Sequence, residues 1–423
     1  MHFWYKFFTY LFLPFAPTYL FLRKLRKKEH PTRYKEKVSQ IKISRDQGFL
    51  IWLHVASVGE AMSILPLIEN FEKEKKIDKI LITTITLSSS KVLEKKYNQS
   101  KKVIHQFLPL DISKFVNKFL QHWSPNLCIF IDSEIWPNLI FHIKERKIPL
   151  LLVNARITKK SFDRWRLIKS YAKKIFEKFD LCIASNSESE KHLKILGSKN
   201  IKNYGNLKFA KLKSSNNYKL DEDLFLKIKN RKIWCAASTH PSEELFCAQT
   251  HLVIKEKYKN ILTIIIPRHI NRIAKITDEI KKLNLKVLVY NNFREMDDDV
   301  DILLINTYGE ALKFYEISKC VFLGKSLVES LKKDSGQNPI EPARLGCKIF
   351  HGPNVSNFDE VYKFLKSLGI SNEVFLPNEF GQVLIKELKD KKEKNPLILK
   401  KIEDYGVSAL NNVLREIKIY INS

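Results

Sequence analysis

Several short stretches of this 423-residue chain carry side chains that could do chemistry. Glu60 closes the stretch Ser57-Val58-Gly59-Glu60, directly after an apolar run at residues 49–55. A carboxylate there has two readings: a first-turn residue that complements a helix dipole, or a general base facing a hydroxyl. Asp132-Ser133-Glu134 sets two carboxylates at the end of another apolar run, suited to acid–base work or to a solvated turn. Lys208, in Gly205-Asn206-Leu207-Lys208, could stabilise developing negative charge or be an ordinary surface cation. Pro267-Arg268-His269, with Arg272 a turn later, suits a phosphate, because an arginine fork binds it in a bidentate way; surface ion pairing is the alternative. Asn306-Thr307-Tyr308-Gly309-Glu310 links strand to helix and offers backbone N–H groups to an anion, or is simply a capped turn. Ser335-Gly336-Gln337-Asn338-Pro339-Ile340-Glu341 is a small-residue loop entering a helix near Pro339. There Glu341 could accept hydrogen bonds from ribose hydroxyls or only serve the dipole.

The elements that must hold these residues are strands alternating with helices. Residues 49–55 form a short continuous apolar run, the mark of a strand buried on both faces. From Glu60 the spacing becomes helical, with Met62, Leu65 and Ile68 in register. Further runs at 80–84, 103–109, 127–132, 149–154 and 181–184 are mostly followed by helix-spaced segments such as 90–97 and 112–122. The chain turns polar at 211–223, the best linker candidate. The alternation then restarts at 233–237 and continues through 261–266, 286–290, 302–305, 320–323 and 348–351. Such alternation predicts two α/β domains, each a parallel sheet covered by helices, with a cleft between them. Glu60, Asp132 and Asn154 stand at strand ends of the first. Ser238-Thr239-His240, Arg268, Gly309 and the 335–338 loop stand at strand ends of the second, where ligands bind in open α/β sheets. Residues 397–419 are amphipathic and predict a closing helix.

Composition narrows the partners. Hydrophobic content of 44% with 28% charged residues is ordinary for a globular protein, but a net charge of +28 is not. It points to an anionic partner: nucleic acid, an anionic membrane surface or a phosphorylated substrate. The six cysteines are scattered without a C-x-x-C pair, which suits buried free thiols in a reducing compartment. The chain has no P-loop, G-x-G-x-x-G, G-x-S-x-G elbow or H-E-x-x-H. ATPase, dehydrogenase, α/β-hydrolase and zinc-protease readings weaken accordingly. Residues 3–22 are apolar and crowded with aromatics, and the basic cluster Arg23, Lys24, Arg26, Lys27 and Lys28 follows. This predicts an uncleaved membrane anchor, either one span or an in-plane helix, with the basic cluster on the cytoplasmic side. A hydrophobic helix docked on the protein itself is the alternative.

Taken together, these stretches resemble the 3-deoxy-D-manno-octulosonic acid (Kdo) transferases of lipopolysaccharide synthesis. The matching segments run in family order: Ser57–Glu60, Glu134-Ile135-Trp136-Pro137-Asn138, Asn154-Ala155-Arg156, Gly205-Asn206-Leu207-Lys208-Phe209, Ser238-Thr239-His240, Pro267-Arg268-His269, Gly309-Glu310 and Asn338-Pro339-Ile340-Glu341. The resemblance implies a GT-B fold, two Rossmann-like domains facing across a cleft. It implies inverting transfer of Kdo from CMP-Kdo to a lipid A precursor (lipid IVA) at the inner membrane, on its cytoplasmic side. It implies neither metal nor cofactor, CMP-Kdo being a substrate, and no nucleic-acid partner. The expected general base is Glu60, and the expected transition-state stabilisers are an acid of the Asp132/Glu134 pair and Lys208. The expected CMP contacts are Pro267, Arg268, His269, Tyr308, Gly309, Glu310, Ala311, Ser335, Gly336, Gln337, Asn338 and Glu341. The corresponding division is an anchor with its basic cluster (1–30), an acceptor domain (31–210), a linker (211–228), a donor domain (229–402) and a C-terminal helix (403–423).

The chain departs from the family pattern in places. Asp132-Ser133-Glu134 stands for Glu-Thr-Glu, Asn306 for an Asp, Ala311 for a Leu, Ser335-Gly336-Gln337-Asn338 for Gly-Gly-His-Asn, and Lys325 for a common glycine. The nearest rival reading is another GT-B sugar-nucleotide glycosyltransferase or a nucleotide-sugar epimerase. A basic nucleic-acid-binding protein is a remote one, because no RNA-binding signature accompanies the charge.

Overall fold

The computed structural model describes residues 1–210, 218–290, 296–297 and 299–422, with the backbone alone at 332–334. The chain divides into two compact units, Met1–Leu212 together with Glu403–Ser423, and Lys213–Ile402.

The first unit is built on seven parallel strands: β1 (Leu50–His54), β2 (Lys79–Thr84), β3 (Val103–Phe107), β4 (Leu127–Ile131), β5 (Leu150–Ala155), β6 (Leu181–Ala184) and β7 (Ile201–Asn203). Their order is β3-β2-β1-β4-β5-β6-β7. β1 and β4 are apolar and buried along their whole length, as strands covered by helices on both faces must be. β1 pairs with both β2 and β4. The chain thus winds outward through β3, then returns to lay β4 on the other side of β1. This reversal is the topological switch point, where the loops after β1 and β4 diverge and leave room for a ligand.

The second unit repeats the plan with β8 (Lys232–Thr239), β9 (Ile261–Pro267), β10 (Val287–Tyr290), β11 (Ile302–Ile305), β12 (Cys320–Leu323), β13 (Lys348–His351) and β14 (Ser371–Glu373). The order is β10-β11-β9-β8-β12-β13-β14, again all parallel. Its switch point lies between β8 and β12. Because the strands of each sheet run one way, every loop that follows a strand emerges at the same sheet edge. That rule gathers the candidate residues of each unit. The edge strands β7 and β14 are three residues each and carry no apolar run, so periodicity gives no sign of them.

The structure corrects several expectations. In the helix Val58–Lys73 the buried stripe is Ala61, Ile64, Leu65 and Ile68, while Met62 is exposed; the apolar face is rotated by about one position from the predicted one. Of the expected linker at 211–228, residues 211–217 lie outside the described residues, and Glu222–Ile228 is a helix capped by Asp221. The closing helix runs Pro396–Asn422. It is more than a tail: Val413, Leu414, Ile417 and Ile421 pack into the first unit's core beside Leu65 and Ile68. All six cysteines are buried free thiols.

The amino terminus folds as two short helices, His2–Leu11 and Ala16–Leu25, joined by a 3₁₀ turn at Leu13–Phe15. Pro14 and Pro17 sit in the turn and at the second helix's start, where proline is tolerated and the helix can change direction. Each helix is 10 residues long, or roughly 15 Å, against about 30 Å of hydrocarbon. Among the described residues no helix is long and apolar enough to cross a membrane. One side of this segment is tied to the first unit. Tyr5 donates to Asp111 at 2.9 Å, the Asn138 amide donates to Thr9 at 3.0 Å, and His2 stacks on Phe141. The other side leaves Phe3, Trp4, Phe8, Phe15 and Leu25 exposed.

Candidate active site

Glu60 occupies the first turn of the helix that follows β1. Ser57, extended at φ −112° and ψ 163°, is its N-cap. The Ser57 hydroxyl accepts the Glu60 N–H at 3.3 Å and donates to Glu60 Oε1 at 2.8 Å, while Glu60 Oε2 accepts the Ala56 N–H at 2.8 Å. This is a capping box drawn back by one residue, so the dipole-complementing role is real. It does not exhaust the residue. Glu60 is half-buried, and burial pushes its carboxyl above the ordinary value. The negative charges of Asp132 and Glu134 push the same way, against the Ala56 N–H and the Ser57 hydroxyl. A carboxylate so raised is a stronger base once ionised.

The loop after β4 supplies the neighbouring acids. Asp132 adopts the left-handed conformation at φ +62° and is buried. Its Oδ2 accepts from Lys208 Nζ at 3.5 Å. Lys208 reaches it because two asparagines fix its turn: Asn154 Oδ1 accepts the Leu207 N–H at 2.9 Å, and Asn206 Oδ1 accepts the Lys208 N–H at 2.9 Å. Gly205, at φ +83°, lies against Tyr405, whose hydroxyl leaves no room for a Cβ there. Glu134 Oε2 accepts from Trp136 Nε1 at 2.8 Å and from His54 Nε2 at 3.1 Å. Burial pushes this carboxyl up, but those two donors and the nearby imidazole outweigh it and hold it below the usual range. The four residues expected to be catalytic thus gather at one sheet edge.

In the second unit, Arg268 and His269 follow β9 and are exposed, with the Arg268 N–H held by Thr239 O at 3.0 Å. Arg272 is not beside them in role: its guanidinium forks onto the buried Glu244 at 2.9 and 3.1 Å. Gly309, at φ +87°, has open space where a side chain would be. Tyr308 beside it is exposed, Glu310 is paired with Lys313, and Ala311 starts the next helix. Ser335 is buried against Ser356, the Gly336 N–H donates to Lys325 O at 2.7 Å, and Gln337 O accepts the Tyr362 hydroxyl at 2.9 Å. Asn338 Oδ1 accepts the Ile340 N–H at 3.1 Å, and Glu341 is exposed in the first turn beyond. The loops after β9, β11 and β12 share one edge, so a nucleotide lying along it would meet all three.

One residue of this edge carries no sign in the sequence beyond an ordinary helix start. Glu243 is fully buried, and its two oxygens accept four backbone N–H groups, those of His240, Lys325, Ser326 and Leu327, at 2.7–2.9 Å. It ties the loop after β8 to the loop after β12. Glu243→Gln would turn N–H donors toward an amide NH₂. The expected result is a loss of about 2–4 kcal/mol of stability, read from a denaturant midpoint; an unchanged midpoint contradicts the assignment. Lys325 stands at φ +59°, a left-handed conformation that glycine adopts freely. Next to it His240 Nε2 and Thr239 Oγ1 are buried without a hydrogen-bond partner. Burial holds His240 down to about 4, helped by the positive charges of His269, Lys325, Arg268 and Arg272.

A family model described as 3-deoxy-D-manno-octulosonic-acid transferase (kdotransferase) matches residues 28–211. The 3-deoxy-D-manno-octulosonic acid transferase of Rickettsia bellii is 32% identical over 417 residues, covering 98% of this chain and 96% of its own. That of Haemophilus influenzae is 31% identical over 319 residues, 74% of this chain and 73% of its own. Among solved structures, a putative UDP-N-acetylglucosamine 2-epimerase from Listeria monocytogenes superposes with a TM-score of 0.59 at 12% identity, over 89% of this chain and 97% of that one. At that identity the likeness concerns the fold alone.

Proposed function

The chain belongs to the 3-deoxy-D-manno-octulosonic acid transferase family and is a glycosyltransferase, and from that premise we propose that it moves Kdo from CMP-Kdo to a lipid A precursor, lipid IVA, releasing CMP with inversion and without a metal ion. The observation that carries this reading is Glu60, fixed at the carboxyl end of β1 with its carboxyl raised by burial and by two neighbouring acids. In the reaction, Glu60 takes the proton of the acceptor hydroxyl while its oxygen attacks the anomeric carbon. The bond from that carbon to the CMP phosphate breaks, and the phosphate keeps the electron pair. In this reading Arg268, His269 and the N–H groups near Gly309 receive that charge. Lys208, oriented by Asp132, and the ionised Glu134 stabilise charge around the acceptor.

The measurement that tests this is CMP release from CMP-Kdo in the presence of lipid IVA. Acceptor-dependent release is expected. UDP release or epimerisation with a UDP-sugar, and none with CMP-Kdo, would overturn the reading in favour of the epimerase-like rival.

The amino-terminal helical segment completes the proposal. Its exposed aromatics, beside the cluster Arg23, Lys24, Arg26, Lys27 and Lys28, suit an in-plane position on the cytoplasmic face of the inner membrane, where the acceptor lies. Replacing Phe3, Trp4, Phe8 and Phe15 by serine spares the docking contacts of His2, Tyr5 and Thr9. Binding to anionic vesicles is expected to fall at least ~10-fold, by sedimentation; unchanged binding would place membrane contact elsewhere.

A further inference from the structure

We propose that His54 is the positioning residue for Glu134, and that a hydrogen-bond chain from Trp52 through the Thr83 hydroxyl to the imidazole sets which oxygen of that carboxylate faces the acceptor. The inference rests on the functional reading above and goes further, because it names a residue to which the family resemblance gives no role.

His54 is the last residue of β1, with Thr83 of β2 and Phe130 of β4 as its neighbours in register. Trp52, His54 and Thr83 are fully buried. Trp52 and His54 stand two apart in the strand, so their side chains leave the same face of the sheet. Both reach the Thr83 hydroxyl: Trp52 Nε1 lies 2.9 Å from Oγ1, and His54 Nδ1 also lies 2.9 Å from it. The indole is only a donor, so it occupies an acceptor lone pair of the hydroxyl. The hydroxyl proton then goes to the better of two acceptors, His54 Nδ1 at 2.9 Å or Leu53 O at 3.5 Å. Nδ1 accepts it, and the neutral ring carries its proton on Nε2.

Nδ1 also lies 3.2 Å from Thr83 O. A proton on Nδ1 alone would use that carbonyl but leave the bare Nε2 lone pair against Glu134 Oε2, which is repulsive. A doubly protonated ring would satisfy both neighbours and ion-pair with Glu134. In each favourable state Nε2–H donates to Glu134 Oε2, at 3.1 Å.

Trp136 Nε1 donates to the same Oε2 at 2.8 Å. Two N–H groups on one oxygen fix the carboxylate's rotation and leave Oε1 as the outward oxygen. They also keep the group ionised. Charged groups near the pair include Glu60 from the helix after β1, Asp132 from the loop of Glu134 itself, Lys208 on Asp132, and Arg156, whose N–H donates to Asp132 O at 3.1 Å. Glu134 in its ionised form favours the protonated form of Glu60, so His54 acts on the base through Glu134.

The test uses the full chain with CMP-Kdo and lipid IVA. His54→Leu is expected to lower kcat about 10- to 100-fold, the scale of one charge-assisted hydrogen bond, with KM for CMP-Kdo unchanged. The acid limb of its pH–rate profile should change shape, because Glu134 loses a donor and protonates at higher pH. His54→Gln keeps an N–H near the position of Nε2 and an acceptor for Thr83, and is expected to recover most of the loss. If the leucine variant is unstable, the ¹⁵N shifts of the wild-type His54 ring decide the matter. A protonated Nε2 with a bare Nδ1, or a doubly protonated ring, supports the chain; a ring protonated at Nδ1 alone overturns it. A folded His54→Leu with wild-type kcat and pH profile also overturns it. An inactive wild-type enzyme would instead count against the transferase reading, while the ring shifts would still judge the hydrogen-bond chain.

Discussion

Glu60→Gln is expected to lower Kdo transfer about 10²- to 10⁴-fold, the range for loss of a general base, while leaving the thermal midpoint and CMP affinity close to wild type. Glutamine is the informative replacement because the residue has two functions. As part of the helix start, Glu60 accepts the Ala56 N–H and the Ser57 hydroxyl, and a glutamine oxygen can keep one of these bonds. As a base it must take a proton, which an amide cannot do at neutral pH. Glu60→Ala removes both functions and should add about 1 kcal/mol of instability. If capping were its whole contribution, glutamine would work nearly as well as glutamate. The pH profile separates the two functions again. Transfer should fall as pH drops through the raised value of Glu60. Stability runs the other way. The folded protein binds this proton more tightly than the unfolded chain, so the contribution is complete below the unfolded value. It is lost as pH rises through the folded one.

Arg268→Ala is expected to weaken CMP binding about 10- to 100-fold, the scale of a charge-assisted phosphate contact, measured by calorimetry. The side chain is exposed beyond β9 and, among the described residues, its guanidinium forms no ion pair. Its removal therefore leaves the unit's packing intact. Arg272→Ala should behave differently: it strands the buried Glu244 and costs stability, with its effect on CMP coming only through unfolding. Equal CMP affinity in wild type and Arg268→Ala would move the phosphate contact to another residue.

Much of this arrangement was legible in the sequence, for identifiable reasons. Parallel strands buried on both faces announce themselves as continuous apolar runs, so most of the central strands could be found. The rule that ligands meet strand carboxyl ends then selected Glu60, Asp132, Glu134, Arg268 and Gly309 by position. What stayed hidden depends on pairing across the chain. Glu243 looks like any acidic residue in a first turn; its four N–H partners come from two loops more than eighty residues apart in sequence. Arg272 looked like a second phosphate ligand until Glu244 was seen beneath it. The edge strands Ile201–Asn203 and Ser371–Glu373 bury too little to leave a pattern. His54 did leave a trace, a polar residue closing an apolar strand two positions after a tryptophan, but its meaning needed Thr83 and Glu134 alongside.

The central claim is that this chain attaches Kdo to a lipid, and the most direct measurement is the mass of the lipid product after incubation with CMP-Kdo and lipid IVA. The account predicts lipid heavier by one or more Kdo residues, formed by the wild-type chain and almost absent with Glu60→Gln. Lipid of unchanged mass with wild-type protein, or the same yield from the glutamine variant, would contradict it.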